Sequence, residues 1–157
     1  MLNSLKIIFM DIRIGNGYDV HLLKEGLEFW LGGIKLEHTK GCVAHSDGDT
    51  LIHALCDIGK HFPDNSDEFK GIDSKILLAR VNELIKSKGY SVVNADCTIL
   101  LQKPKVAKYI VGMRETLSGI LGVEADRVSV KATTTEGAGF VGREEAIAAL
   151  IPRMQRD

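Results

Sequence analysis

The sequence predicts a single α/β (α+β) domain. Strand-like and helix-like hydrophobic patterns alternate along the chain, no repeat or low-complexity linker interrupts them, and 157 residues suffice for one sizeable core. In order, Ile12-Arg13-Ile14-Gly15 reads as a first strand broken by glycines that leads into Gly17-Tyr18-Asp19. Leu27 to Leu36 reads as a hairpin turning at Gly32-Gly33. Ser46-Asp47-Gly48-Asp49 offers a capping residue and an acidic first turn for a helix through Leu51, Ile52, Leu55 and Cys56, with Asp49 and His53 on one face.

His61 to Ser66 is a loop by composition. From Ser74, the residues Ile76, Leu77, Val81, Leu84 and Ile85 recur at helical spacing until Lys88-Gly89. Tyr90 to Leu101 is β-rich and is ended by Lys103-Pro104; a further helix covers Val106 to Leu121, stopped by Gly122. Val128 to Ala132 alternates as a strand and runs into Thr133-Thr134-Thr135-Glu136-Gly137. The tail from Arg143 to Met154 reads as helical apart from Pro152.

Composition narrows the function classes. A formal net charge of -1 argues against general nucleic-acid binding, and no apolar run is long enough to span a bilayer. The first ten residues have a short apolar stretch without a small-residue cleavage site, so residues 1–11 are taken as an N-terminal extension and 12–157 as the domain. Cys42, Cys56 and Cys97 lack CxxC spacing and are odd in number; buried thiols in a reducing, cytoplasmic setting are expected rather than disulfides.

Several polar clusters carry chemistry. Residues two apart on a strand point the same way, so Asp19 and His21 present a carboxylate and an imidazole to one point, and His53 can add a second imidazole. Two His and one carboxylate make a catalytic zinc set with an open fourth position. His45 and Ser46 stand at a helix start, where backbone N–H groups favour anions; the plain alternative is a helix cap. Thr133, Thr134 and Thr135 with Glu136 and the preceding Lys131 suit phosphate oxygens and a hard cation, although threonines also simply favour a β-edge. Gly137, Gly139 and Gly142 around Phe140 allow close backbone approach, and Arg143 can grip phosphate bidentately. Taken singly, Lys103-Pro104-Lys105, His38, His61, Asp64, Asp67 and Glu68 read as solvated surface.

The order of Gly17-Tyr18-Asp19-Val20-His21, His45-Ser46-Asp47-Gly48-Asp49, Asp57-Ile58-Gly59-Lys60-His61-Phe62-Pro63-Asp64, Lys70-Gly71-Ile72-Asp73-Ser74, Lys131-Ala132-Thr133-Thr134-Thr135-Glu136 and Gly139-Phe140-Val141-Gly142-Arg143 strongly resembles the 2-C-methyl-D-erythritol 2,4-cyclodiphosphate synthases of the non-mevalonate isoprenoid pathway. The resemblance extends from Ile12 over nearly the whole chain. It implies a mostly four-stranded sheet packed on helices, assembled as a homotrimer with active sites between subunits. It implies a metal-dependent, cyclising phosphorus–oxygen lyase. Zinc would be held by Asp19, His21 and His53, and Mg²⁺ or Mn²⁺ would bridge the diphosphate near Glu136. The substrate would be 4-diphosphocytidyl-2-C-methyl-D-erythritol 2-phosphate, whose 2-phosphate attacks its own β-phosphorus and releases CMP.

By the same resemblance, His45 and Thr134 are the catalytic positions, with Ser46 beside them. Val20, Asp57, Ile58, Gly59, Phe62, Pro63, Asp64, Asn65, Ser66, Thr133, Thr135, Phe140 and Arg143 join the metal residues around the substrate. Leu101, Lys103, Pro104, Lys105, Val106 and Ala107 would hold the cytidine, largely through backbone groups. The chain departs from the family in two places. Cys56 is followed at once by Asp57-Ile58-Gly59, where the family carries some two to three more helical turns, and a smaller shortfall follows Glu145. The gap after Cys56 leaves a second reading, a non-catalytic module that binds a nucleotide or an isoprenoid diphosphate; a third reading is a metal-dependent hydrolase with a linear product.

Overall fold

The computed structural model describes residues 11–56 and 70–157. Its frame is a five-stranded sheet in the order β4-β1-β7-β5-β6. These strands are β1 (Ile12–Glu25), β4 (Lys40–Cys42), β5 (Ser91–Leu100), β6 (Val128–Thr133) and β7 (Ala146–Arg156); β2 (Phe29–Leu31) and β3 (Ile34–Leu36) form a separate hairpin. Helices α1 (Thr50–Cys56), α2 (Ser74–Ser87) and α3 (Ile110–Leu121) contribute to the core, and the single turn α4 (Gly139–Gly142) lies between β6 and β7. The expected four strands become five because the three-residue β4 adds to the edge of β1 through Leu23↔Cys42 to Glu25↔Lys40.

Two expectations are corrected. The tail after Arg143 is the strand β7, not a helix, and it occupies the middle of the sheet. Its alanines favour helix in isolation, but pairing with β1 on one edge and β5 on the other overrides that preference. Ala146 to Ala149 are all buried, which erases the period-two alternation that marks a half-exposed strand. Pro152 falls between the paired stretches Ala95↔Arg153 and Thr98↔Leu150 on the β5 side, where its missing N–H costs least.

The first strand is also unbroken: β1 pairs with β7 continuously from Ile12↔Arg156 to Leu22↔Ala146. Gly17 is required there for another reason. A Cβ at this position would lie 1.6 Å from the Ala54 carbonyl oxygen, so only glycine lets α1 rest against β1.

The core lies between the sheet and α1, α2 and α3. Ile99, Cys97 and Ala95 of β5 and Ile147, Ala149 and Ile151 of β7 face Leu51, Ile52, Leu77, Leu78, Met113 and Leu117. Periodicity in α2 and α3 was legible because each buries one stripe. Asp73 caps α2 by accepting from Lys75 N at 2.9 Å, and Gly122 ends α3 in the left-handed conformation. The opposite face of the sheet is different: Ile14, Tyr18 and Leu22 are 73%, 61% and 63% exposed, with Val20 and Leu150 beside them.

Candidate metal and phosphate site

Alternation along β1 puts Asp19 and His21 on the helix-covered face, and the close seat of α1 at Gly17 brings His53 over them. Asp19 Oδ2 lies 3.0 Å from His21 Nδ1 and 3.6 Å from His53 Nδ1; the two rings meet edge-on with centroids 4.9 Å apart. All three ligand atoms fall within 4.8 Å of one another. Four ligands at about 2.0–2.1 Å in a tetrahedron stand about 3.3 Å apart. The two carboxylate–imidazole separations straddle that value.

Asp19 Oδ2 is buried and accepts no hydrogen bond, an arrangement that costs free energy unless a cation completes it. An ionised carboxylate and two imidazoles are a donor set that fits zinc.

The supports of this cluster come from the 43–49 segment. Val43 N bonds Leu22 O at 2.8 Å, Gly71 N bonds His45 O at 2.7 Å, and Asp47 N bonds Ile72 O at 3.1 Å, which stitches the segment to β1 and to the approach of α2. Asp49 is fully buried and is the true cap of α1, where an acidic first turn was expected: its carboxylate accepts from Ile52 N at 3.0 Å and from Gly32 N and Gly33 N at 2.9 and 2.6 Å. Burial pushes this carboxyl up, and the three backbone N–H groups oppose the shift. One side chain thus ties the hairpin to the helix that bears His53. Asp49 and His53 were expected to share a face; instead Asp49 turns to the hairpin.

His53 Nε2 meets Ser46 Oγ at 2.9 Å and Ser74 Oγ at 3.0 Å. Thr50 Oγ1, also fully buried, stands 3.3 Å from His21 Nδ1. Ser46 and Asp47 further line a cavity of about 630 Å³ with Trp30, Cys42 and Asp73. The sequence reading has Ser74 as a helix start and the end of the Lys70-Gly71-Ile72-Asp73-Ser74 motif, and does not single out Thr50. The signal available was their small hydroxyl at a helix start, which is common to most caps.

The second cluster forms elsewhere. β5 and β6 are parallel and end together at Leu100↔Thr133. Leu101 N donates to Thr133 O at 3.0 Å, and Lys103 Nζ pairs with Glu144 at 2.9 Å. The segments 101–107 and 133–144 are therefore neighbours at the carboxyl ends of parallel strands, a usual place for ligands in α/β sheets. Thr134 Oγ1 donates to Glu136, whose backbone has φ 51°, and Thr135 Oγ1 donates to Ala138 O at 2.6 Å. Arg143 forms a two-point fork with Glu145 at 2.8 and 3.0 Å, and Phe140 is exposed. Glu136 is not part of the Asp19, His21 and His53 group. Of the expected substrate residues, Asp57, Ile58, Gly59, Phe62, Pro63, Asp64, Asn65 and Ser66 lie outside the described residues.

Within one chain the two clusters are apart. Val20, Ala148, Leu100 and Thr133 share a row across β1, β7, β5 and β6. Three strand spacings separate the ends of that row, roughly 14 Å. Asp19 and His21 point to the helix-covered face, while Thr133 points with Lys131 to the open face.

Relatives place this arrangement. A chain from Bacteroides fragilis named 2-C-methyl-D-erythritol 2,4-cyclodiphosphate synthase is 53% identical over 150 positions, covering 89% of this chain and 94% of that one. A synthase of the same name from Thioalkalivibrio sulfidiphilus is 54% identical over 149 positions, covering 88% and 93%. The 150 positions exceed what 89% of 157 residues supplies, so the Bacteroides fragilis relative carries positions that this chain lacks. The fold superimposes on the bifunctional IspDF of Campylobacter jejuni with a TM-score of 0.90 at 34% identity, covering 94% of this chain and 43% of that longer one. It also superimposes on IspF of Plasmodium falciparum in a CDP complex with a TM-score of 0.79 at 31% identity, covering 92% and 95%. The family model described as the YgbB family matches residues 12–152, which include the Asp19, His21 and His53 cluster and the 133–143 segment, and the chain belongs to that family.

Proposed function

We propose that the chain converts 4-diphosphocytidyl-2-C-methyl-D-erythritol 2-phosphate into 2-C-methyl-D-erythritol 2,4-cyclodiphosphate and CMP. The observation that carries this reading is the convergence of Asp19, His21 and His53 on one point in a chain 53% identical to a synthase of that product. The shorter stretch after Cys56 leaves that convergence intact, so the binding-module reading loses its footing.

In the reaction an oxygen of the 2-phosphate forms a bond to the β-phosphorus. The bond from that phosphorus to the bridging oxygen breaks, and CMP leaves with the electron pair. Two anionic groups must be brought together against Coulomb repulsion, so positioning and charge stabilisation are the whole task. Asp19, His21 and His53 would hold a zinc ion, which would supply positive charge favouring this approach. His45 and Ser46, on the segment that supports the cluster, hold the phosphate. The hydroxyls of Thr133, Thr134 and Thr135 donate to phosphate oxygens, with Thr134 and His45 in the catalytic positions. Glu136 would hold Mg²⁺ or Mn²⁺, which would offset phosphate charge, and Arg143 would grip a phosphate with its guanidinium fork. Residues 101–107 receive the cytidine. Asp57, Ile58, Gly59 and the 62–66 segment surround the methylerythritol with Val20 and Phe140 nearby.

The metal cluster and the threonine cluster lie on opposite faces of one sheet. One substrate molecule reaches both only if the second comes from a neighbouring copy, which supports a homotrimer with sites between subunits. The exposed apolar row Ile14, Tyr18, Val20 and Leu22 supplies a contact surface for it. No described helix is long and apolar enough to cross a membrane. A cytoplasmic location accords with three free, buried cysteines.

The test is incubation of purified protein with the substrate, Zn²⁺ and Mg²⁺, following CMP by chromatography and the second product by phosphorus NMR. Stoichiometric CMP with a cyclic diphosphate is expected. A folded, zinc-loaded protein that releases no CMP would sink the reading, and a linear product would replace it with hydrolysis.

A further inference from the structure

We propose that Ser74 and Asp47 are positioning residues that fix which nitrogen of His53 faces the metal. The inference rests on the metal reading above and concerns side chains outside the ligand set.

The direction of each hydrogen bond follows from what the partners can do. The Asp47 carboxylate, as an anion, only accepts. It takes Ser74 N on Oδ2 at 2.9 Å and the Ser74 hydroxyl on Oδ1. The one proton of that hydroxyl is therefore directed at Asp47, and only oxygen lone pairs remain to face His53 Nε2 at 3.0 Å. His53 Nε2 must donate. Ser46 Oγ, 2.9 Å from the same nitrogen and accepting from Gly48 N at 3.2 Å, offers a second acceptor on that side.

With the proton on Nε2, the lone pair of a neutral His53 is on Nδ1, which faces Asp19 Oδ2 at 3.6 Å. A lone pair aimed at a carboxylate oxygen is repulsive alone and correct for two ligands sharing a cation. Ligating imidazoles generally donate their other nitrogen to an acceptor that sets tautomer and orientation. Ser74 is fully buried at the first residue of α2, His53 is 7% exposed on α1, and Asp47 anchors to Ile72 O through its own N–H. The start of α2 is thereby coupled to the metal ligand on α1.

The test uses the full chain with histidines labelled with ¹⁵N. Long-range ¹H–¹⁵N spectra of the zinc-loaded parent should show His53 protonated at Nε2, with assignment by His53→Ala. Zinc affinity is then measured by competition with a chromophoric chelator. Ser74→Ala keeps the backbone N–H to Asp47 and hence the helix start. The Ser46→Ala/Ser74→Ala pair removes both acceptors and should weaken zinc binding by about 10–100-fold. Ser74→Ala alone should fall between it and the parent. A His53 proton on Nδ1 in the parent overturns the proposal without any variant. A double variant that binds zinc as tightly as the parent overturns the positioning role while the metal site stands. A parent chain that takes up no zinc overturns the metal reading and this inference with it.

Discussion

His53 stands at the junction of the ligand set and its supports, so its removal should cost more than removal of either serine. His53→Ala deletes one of three protein ligands and leaves the Ser46 and Ser74 oxygens without the donor between them. His21→Ala deletes a ligand from the strand side. Both variants should lose zinc affinity by more than the about 10–100-fold expected of a supporting group, and CMP release should fall in parallel. Zinc content by mass spectrometry equal to the parent's would remove the assignment. The cysteines give a contrasting case. Burial pushes the thiols of Cys42, Cys56 and Cys97 up to about 12, so thiolate is scarce at neutral pH, and little of any of the three side chains is exposed. A disulfide-exchange reagent at pH 8 should label none of them in the native chain and all three after denaturation. Fast labelling of the native chain would contradict the packing around β4, α1 and β5.

Gly17 decides how an element carries the site. With the Ala54 oxygen 1.6 Å from where a Cβ would be, Gly17→Ala must push α1 away from β1. His53 moves with α1, while Asp19 and His21 stay with β1. Overpacking of this kind typically costs about 1–3 kcal/mol. A lower unfolding midpoint together with weaker zinc binding is the expected pair of effects, and unchanged zinc affinity would show that the helix seat does not set the ligand geometry. What the sequence disclosed at this scale follows the same physics. The strand alternation at Asp19-Val20-His21 and the apolar run around His53 were readable, because each is a local pattern. The 1.6 Å approach that needs Gly17 is a contact between residues far apart in sequence, so Gly17 looked like a strand breaker. β7 was misread as helix because Ala146 to Ala149 are buried by neighbours on both edges, and neither neighbour is adjacent in sequence. The contact between Asp47 and Ser74 was not legible for the same reason, the two being 27 residues apart.

The whole molecule has one sheet face covered by helices and one that carries a row of exposed apolar side chains. On the open face Tyr18 pairs across the ladder with Leu150, with Ile14 and Leu22 along the same strand. Asp19 and His21 occupy the covered face of the same strand, one residue out of phase, and His53 meets them from α1. A change on the open face can therefore break an assembly without touching the zinc set. Tyr18→Asp places a charge at the centre of that row, where burial against a neighbouring copy would require desolvating it. In the free chain the position is 61% exposed, so the folded monomer tolerates the carboxylate. The expected outcome is a shift from the proposed trimer to monomer in sedimentation velocity, with zinc affinity within a few-fold of the parent, because all three candidate ligands come from one chain. On the proposed intersubunit reading, CMP release should fall by orders of magnitude, because a neighbour's threonine cluster and residues 101–107 would no longer be held opposite the Asp19, His21 and His53 cluster. Mixing this variant with an excess of His53→Ala chains gives a sharper version: mixed assemblies containing a majority of intact open faces should regain some CMP release at the few sites where an intact zinc set meets an intact neighbour. A Tyr18→Asp monomer that releases CMP at the parent's rate would show that a single chain completes the site, and the reading of the two sheet faces as halves of an intersubunit centre would fall.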